Sequence, residues 1–166
     1  MRPQSGKRGH IPYGGALYYR RMGFRDYSQD EIEQVLAQER VIRIAFSANG
    51  ELYVVPVFYV WHEDALCGLT TPGRKTTMAA TNSQVGFQID TTATTGPWEW
   101  GSVGGQGTWD VVADPAAFGP FAMKLRQKLS DSPEWAAQLL QERFAKLGMV
   151  AFRIRPSRLY GRAHER

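Results

Sequence analysis

The chain has a single cysteine, Cys67, among its 166 residues, so an internal disulfide is excluded. Because Cys67 lies within a predicted strand, we interpret it as a small buried apolar side chain and not as a nucleophile. No uninterrupted apolar run reaches the roughly 18 residues that a membrane span needs, and the polar N-terminal residues lack the apolar region of a signal peptide. We expect a domain without membrane association, in a reducing, cytoplasmic environment.

The sequence also lacks the signatures of a catalytic site built from side chains alone. It has no Cys/His cluster with metal-ligand spacing, no nucleophile elbow, no clear acid–base pair and no internal repeat. Its imidazoles are those of His10, His62 and His164, and their spacing does not compel metal or haem ligation. Catalytic residues therefore stay unassigned at this level, and no metal site is predicted.

The net charge of +4 is distributed unevenly along the chain. Residues 1–25 contain six basic residues and no acid, and the residues from Arg153 onward contain five arginines and one glutamate. We interpret residues 1–27 as a basic arm and residues 157–166 as a basic tail, both solvated, around one compact domain at 28–156. A clamp on an anionic ligand and a nucleic-acid footprint are the alternatives.

Local patterns predict the order of the elements. A capping box at Ser28 and Glu31 predicts a helix that ends near Glu39, and Asn49-Gly50 predicts a hairpin turn. The predicted strands cover residues 40–47, 51–61, 65–70, 84–90, 98–112 and 149–155, with a helix at 74–81 and a helical excursion at about 114–147. This order predicts a mainly β protein, an antiparallel barrel of about six strands with flanking helices.

The predicted strand at residues 51–61, ELYVVPVFYVW, is apolar on both faces. One face can fill a barrel, and the other then needs cover from a helix, a ligand or a second subunit. Pro56 in its middle removes a donor from the hydrogen-bond ladder, which predicts a bulge or a free edge. A free edge would leave backbone groups available to a flat polar ligand.

The junction LTTPGRK at residues 69–75 carries the most information. It combines the hydroxyls of Thr70 and Thr71, a Pro-Gly bend, and the adjacent cations Arg74 and Lys75 at a predicted helix start. Hydroxyls, free backbone N–H groups and two cations are well suited to an anion. The sequence therefore predicts an anion site here, with a solvated helix start as the alternative.

Three segments, in this order, resemble the FMN-binding split β-barrel superfamily, the pyridoxamine 5′-phosphate oxidase-like flavoproteins. They are RIAFSANGELYVVPVFYV, LTTPGRKTTMAATNSQVGFQID and WEWGSVGGQG. The resemblance covers roughly residues 28–112, with a closing strand near Phe152. It implies a split barrel and a homodimer in which FMN lies at the subunit interface.

The resemblance also implies roles for particular residues. The FMN phosphate would be held by Thr70, Thr71, Arg74 and Lys75. Backbone atoms of the two-faced strand would face the isoalloxazine ring at Val55, Pro56 and Val57. A stretch that approaches the cofactor, often from the other subunit, would comprise Trp98, Trp100, Ser102 and Val103. For the two tryptophans, core or interface packing is the alternative.

The end of the chain, RAHER at residues 162–166, is similar to a stretch that contacts the pyridoxal ligand in the true oxidases of this superfamily. Its spacing from Pro156 is too short for that family's intervening segment. Arg162 and His164 are therefore candidate substrate contacts, with a frayed basic terminus as the favoured interpretation. This departure also leaves pyridoxamine phosphate oxidation itself without support.

The resemblance implies an FMN-dependent oxidoreductase or flavin reductase acting on a small organic substrate, because a flavin supplies the redox chemistry itself. A deazaflavin-binding or haem-binding barrel is an alternative. So is a non-enzymatic barrel that binds nucleic acid or another anion through Tyr13, Tyr18, Tyr19 and the N-terminal arginines. A nucleic-acid partner is not expected, since these residues match no recognisable module.

Overall fold

The computed structural model describes residues 23–164, so most of the predicted basic arm lies outside the described residues. This part of the chain forms eight strands and five helices. The strands are β1 (Phe24–Asp26), β2 (Val41–Ala48), β3 (Glu51–Phe58), β4 (Val60–His62), β5 (Ala65–Thr70), β6 (Gln84–Asp90), β7 (Trp100–Val111) and β8 (Val150–His164). The helices are α1 (Gln29–Gln38), α2 (Arg74–Thr81), α3 (Thr92–Thr95), α4 (Pro115–Lys128) and α5 (Glu134–Leu147). No helix within 23–164 has the length and apolar character to cross a membrane.

The strands form one antiparallel sheet in the order β3-β2-β6-β7-β8-β5-β4, and β1 also pairs with β8. The sheet curls around an apolar core, as the predicted split β-barrel requires, and the fold class is confirmed. There are more strands than the predicted six or so, partly because β1 forms within the predicted arm. The other reason is that one predicted strand is divided.

The core follows from the alternation of apolar residues along β2. Ile42, Ile44 and Phe46 are fully buried, and Leu36 of α1 belongs to the same buried cluster. A smaller apolar cluster lies between β5 and α4 and contains Cys67. Burial raises the pKa of the Cys67 thiol to about 11, which agrees with the predicted inert, buried role.

Helix starts that depend on local chemistry are confirmed. The Ser28 hydroxyl accepts from the Glu31 N–H at 3.3 Å, and the Glu31 carboxylate accepts from the Ser28 N–H at 2.8 Å, which is the predicted capping box. Asp114 caps α4 by accepting from the Ala116 N–H at 2.9 Å. These bonds satisfy N–H groups that have no acceptor inside the helix.

The predicted continuous strand at residues 51–61 is wrong, because it breaks at Tyr59. The Tyr59 N–H donates to the Arg40 carbonyl at 3.1 Å, and its fully buried phenol donates to the Leu36 carbonyl at 2.9 Å. The chain then leaves β3 at one end of the strand order and enters β4 at the other. Pro56 lies on β3, the terminal strand, so the predicted free edge is confirmed.

The predicted end of the last strand at residue 155 is also wrong, since β8 continues to His164. The arginines of this segment alternate with residues that face inward, so that Gly161 and Ala163 are buried while Arg158 is exposed. The predicted tail at 157–166 is therefore part of the sheet as far as residue 164. A frayed terminus is excluded for Arg162 and His164.

Glycines on β7 allow β8 to pair closely with it over this length. A Cβ atom at Gly105 would lie 2.3 Å from the Arg158 carbonyl oxygen, and one at Gly107 would lie 2.4 Å from the Arg155 carbonyl oxygen. Both distances are too short for any side chain. The two backbones thus approach closely, and β7 is a continuous strand with a register shift between Gln106 and Gly107.

The two helices of the excursion bury different amounts of apolar surface against the barrel. Helix α4 buries Phe121 and Leu125 against the smaller cluster. Helix α5 has no buried residue, and Trp135 on it is 70% exposed. The apolar spacing that predicted α5 is therefore present, but it does not face the core of this chain.

Candidate cofactor site

The predicted phosphate end lies where β5 meets α2. Thr70 is buried at the end of β5, and Thr71 is half-buried beside it. Gly73 adopts a φ of 152°, and a Cβ atom there would meet nothing within 4 Å, so the backbone conformation and not lack of space favours glycine. Since Gly73 has no side chain, the first N–H groups of α2 are left without a side-chain cap.

The two adjacent cations differ in their partners. The Arg74 guanidinium donates to the Glu51 carboxylate at 2.9 Å and lies 5.0 Å from the centre of the Tyr53 ring. Both groups of this pair are exposed. The expectation that Arg74 and Lys75 hold one anion together stays a prediction.

Lys75 has the character expected of an anion ligand. Burial lowers the pKa of its ammonium group, and the nearby Arg143 guanidinium lowers it further. Within residues 23–164 it makes no hydrogen bond and no ion pair. A half-buried cation without a counter-ion is costly, and an anion bound at the α2 start would offset that cost.

The predicted ring-facing residues lie on the free edge of the sheet. Val55 and Val57 pack against the core, while Pro56 faces outward opposite Arg43. The outward side chains of β3 form an apolar row that we call the β3 stripe, made of Leu52, Val54, Pro56 and Phe58. Leu52 is 76% exposed and Val54 is 62% exposed.

The predicted aromatic-x-Ser-Val stretch lies on β7 and just before it. Trp98 is 79% exposed, and Trp100 stacks against the His164 ring at 6.1 Å between ring centres. The Ser102 hydroxyl accepts from the Gln88 amide at 3.0 Å. Val103 is fully buried, so only its backbone could meet a ligand.

A recess of about 470 Å³ opens beside this stretch. Its lining residues are Gln88, Asp90, Thr92, Pro97, Trp100 and Ser102. Burial alone would raise the pKa of Asp90, but hydrogen bonds from Thr92 and Gln88 and the Arg43 guanidinium at 2.5 Å outweigh it, and the pKa is lowered. Asp90 therefore contributes a fixed negative charge to the recess.

Two polar residues of this recess, Gln88 and Asp90, are not among those predicted from the sequence. Gln88 and Asp90 occupy outward positions of β6, between the inward residues Phe87 and Ile89. Arg43 likewise occupies an outward position on β2, between two buried residues. The strict alternation of both strands was the available signal, because polar residues on outward positions of adjacent strands share one face of a sheet.

Apart from the phosphate end, the structure places the predicted residues in two sets. The β3 set comprises Val55, Pro56 and Val57, and the β7 set comprises Trp98, Trp100, Ser102 and Val103, on β7 or just before it. Arg162 pairs with Ser102 across β7 and β8, and His164 pairs with Trp100, so both tail candidates join the β7 set. The β3 edge lies three strand positions from β7 in the sheet order. At roughly 4.8 Å per strand, the path along the curled sheet between the two sets is about 14 Å.

The chain thus forms an antiparallel split barrel with a free β3 edge and an α2 start without a side-chain cap. A family model described as pyridoxamine 5′-phosphate oxidase matches residues 28–163. The chain belongs to this family, and the resemblance found in its sequence is confirmed. A search of curated proteins finds no match.

Solved structures share the fold. An FAD-binding protein from Mesorhizobium loti is 26% identical, covers 84% of this chain and 96% of its own, and superposes with a TM-score of 0.67. The FAD binding protein from Mycobacterium smegmatis is 18% identical over 83% of this chain and 98% of its own, with a TM-score of 0.58. The FAD and heme binding protein from the same organism is 14% identical over 87% of this chain and 74% of its own, with a TM-score of 0.63. At these lower identities the last two likenesses concern the fold alone.

Proposed function

We propose that this protein binds a flavin nucleotide and acts as a flavin-dependent oxidoreductase or flavin reductase on a small organic substrate. The observation that carries the proposal is Lys75, a half-buried cation without a counter-ion beside the uncapped start of α2. Family membership and the FAD-binding neighbour from Mesorhizobium loti support the assignment of this anion to the phosphate of a flavin nucleotide.

The residues at this end fit a phosphate group. Thr71 supplies a hydroxyl, the first turn of α2 supplies backbone N–H donors, and Lys75 supplies positive charge. The carboxylate of Glu51, the acid nearest to this turn along β3, is engaged by Arg74 and does not compete. Phosphate at this position would also be stabilised by the positive end of the α2 dipole.

We further propose that the working form is a homodimer with the flavin between subunits. Within one chain the β3 set and the β7 set lie on different strands, three positions apart in the sheet. A two-fold arrangement could place the β7 set of one subunit against the β3 edge of the other. The exposed β3 stripe supports this arrangement, because an apolar row of this kind needs cover.

The bound flavin would supply the electron-pair chemistry. Lys75 and the α2 start would anchor its phosphate, and the free edge of β3 would orient its ring. Trp100 and the fixed charge of Asp90 would shape the pocket that admits the substrate. No side chain is assigned a proton-transfer role.

The absorbance spectrum of the purified protein tests this proposal. We expect flavin bands in the protein as isolated, or after addition of FMN or FAD, with quenching of flavin fluorescence. Mass analysis of the released cofactor distinguishes FMN, FAD and a deazaflavin, and a Soret band would indicate haem. A colourless protein that leaves the fluorescence of added FMN and FAD unchanged would overturn the proposal.

A further inference from the structure

A second recess adjoins the one beside β7. Its volume is about 530 Å³, and it shares the lining residues Asp90 and Thr92 with its neighbour. From there it extends to Glu39, the C-cap of α1, and to Asp131, just beyond the end of α4. We call it the Glu39 recess, and the proposed function gives it no role.

Five charged side chains line the Glu39 recess, and four of them are paired with one another. The Arg40 guanidinium donates to both carboxylate oxygens of Asp131, at 2.6 Å and 2.8 Å. The Arg43 guanidinium donates to the Asp90 carboxylate at 2.5 Å. The charges of these two pairs cancel, so the fifth side chain, Glu39, gives the recess a net negative charge.

The Glu39 carboxylate has few partners of its own. It is half-buried, and within residues 23–164 it accepts one long hydrogen bond, from the Thr94 hydroxyl at 3.4 Å, and forms no ion pair. The ammonium group of Lys128 donates instead to the Glu39 backbone carbonyl and lies 4.8 Å from the centre of the Tyr59 ring. Burial raises the pKa of the Glu39 carboxyl, and the opposing effects of Thr94 and Lys128 do not cancel this rise. A cation that reaches the carboxylate from the recess would therefore stabilise its charged form.

Apolar groups form another part of the recess wall. Val41 and Phe58 are paired across β2 and β3, and Phe58 is 39% exposed. Ala93 of α3 adds a third apolar side chain. A ligand that matches both features carries a positive charge at one end and an apolar body at the other. An anion fits poorly, because both guanidiniums already have carboxylate partners.

We propose that the Glu39 recess binds a small organic cation, an amine whose ammonium group donates to the Glu39 carboxylate and whose apolar body covers Phe58 and Val41. Such a contact is a charge-assisted hydrogen bond, which is stronger than one between neutral groups. It needs no flavin, so the inference does not depend on the proposed function. Because the two recesses share Asp90 and Thr92, the bound cation would lie next to the β7 set.

A comparison of three ligands tests the proposal on the wild-type protein. The probe is benzylammonium, and the control ligands are benzyl alcohol and benzoate, which keep the ring but lack the positive charge. Binding is followed by NMR titration of the backbone amide signals, and we expect a dissociation constant of about 1 mM for so small a probe. Each control ligand should bind at least about tenfold more weakly, since the charge-assisted contact is lost. The signals that benzylammonium moves should include those of Glu39, Thr94 and Phe58.

The decisive variants are E39Q and the matched control E33Q. Both remove one negative charge and keep the side-chain size, but Glu33 is exposed on α1 and does not line the recess. E39Q should weaken the binding of benzylammonium by about tenfold or more, and E33Q should weaken it by less than about twofold. The ligand comparison uses the wild type alone, so it decides the question even if E39Q does not fold.

Three results would overturn the inference. The first is a wild-type spectrum in which about 10 mM benzylammonium moves no signal of the recess, since the expected constant predicts near saturation there. The second is equal binding of benzyl alcohol, which would show that the positive charge is not recognised. The third is an equal loss in E39Q and E33Q, which would show a general effect of charge and no contact with Glu39. None of these results bears on flavin binding, which the absorbance spectrum tests separately.

Discussion

The replacement of Leu52 by glutamine tests whether the β3 stripe is a subunit interface. Full burial of a leucine side chain stabilises an assembly by about 1.5–3 kcal/mol. Because Leu52 is 76% exposed in the single chain, an interface could recover roughly 1–2 kcal/mol from it. A two-fold interface contains the residue twice, so L52Q should cost about 2–4 kcal/mol and raise the dimer dissociation constant roughly 30- to 900-fold.

Sedimentation velocity over a range of protein concentrations measures this constant. The matched control is M123Q, since Met123 is similar in size, lies on α4 and is 73% exposed. Neither replacement should change the unfolding free energy of the isolated subunit by more than about 0.5 kcal/mol, because both side chains are exposed in the single chain. A wild-type protein that stays monomeric at tens of micromolar, or equal effects of L52Q and M123Q, would refute the reasoning.

The same variant links assembly to the cofactor. If each subunit contributes one set of residues, flavin binding requires the dimer. L52Q should then bind flavin weakly at low protein concentration and recover as the concentration rises. Affinity that is lost in L52Q but independent of protein concentration would point to a direct contact of Leu52 with the ligand instead.

Three further predictions concern single sites. K75Q should weaken FMN binding roughly 10- to 150-fold, and R74Q should weaken it by less than about threefold, because Arg74 is already paired. Fluorescence titration measures both affinities, with riboflavin as the control ligand. A larger loss in R74Q than in K75Q would contradict the assignment. G73A should lower the unfolding free energy by about 1–2 kcal/mol in denaturant titrations, since alanine disfavours a φ of 152°, and an unchanged midpoint would count against this. The hydrogen bond from Arg25 holds the pKa of Glu31 at about 2, below its ordinary 4.5, so its contribution to stability is present above about pH 4.5 and is lost as the pH falls toward 2. Denaturant midpoints across this range should depend less on pH in E31Q than in the wild type, and identical profiles would exclude the effect.

Local chemistry explains the parts of the fold that could be predicted. The capping box of Ser28, the Asn49-Gly50 turn and the start of α2 at Arg74 each depend on residues within about one turn of the chain. Asn49 and Gly50 both adopt positive φ, as the hairpin requires. Such features need no knowledge of distant partners, and the structure places them where the pattern indicates.

The strand ends that were predicted wrongly depend on residues that are distant in the sequence. The break at Tyr59 depends on bonds to Arg40 and Leu36, which lie on other elements. The extension of β8 depends on its pairing with β7, where glycines allow the two backbones to approach closely. The arginine-rich sequence of β8 does not by itself indicate a strand. The predicted strands were therefore right in type and wrong in extent where a distant partner decided their ends.

The candidate site shows the same division. The LTTPGRK pattern by itself determined that an uncapped helix start with hydroxyls and cations follows β5, because those properties belong to neighbouring residues. Only the tertiary structure decided which cations remain for an anion: it pairs Arg74 with Glu51, 23 positions away, and leaves Lys75 without a counter-ion among the described residues. It also places the β3 and β7 sets on separate strands, three positions apart in the sheet. The type of each residue determines its charge and its hydrogen-bonding capacity. Whether a ligand can use them depends on the groups that the fold places beside that residue.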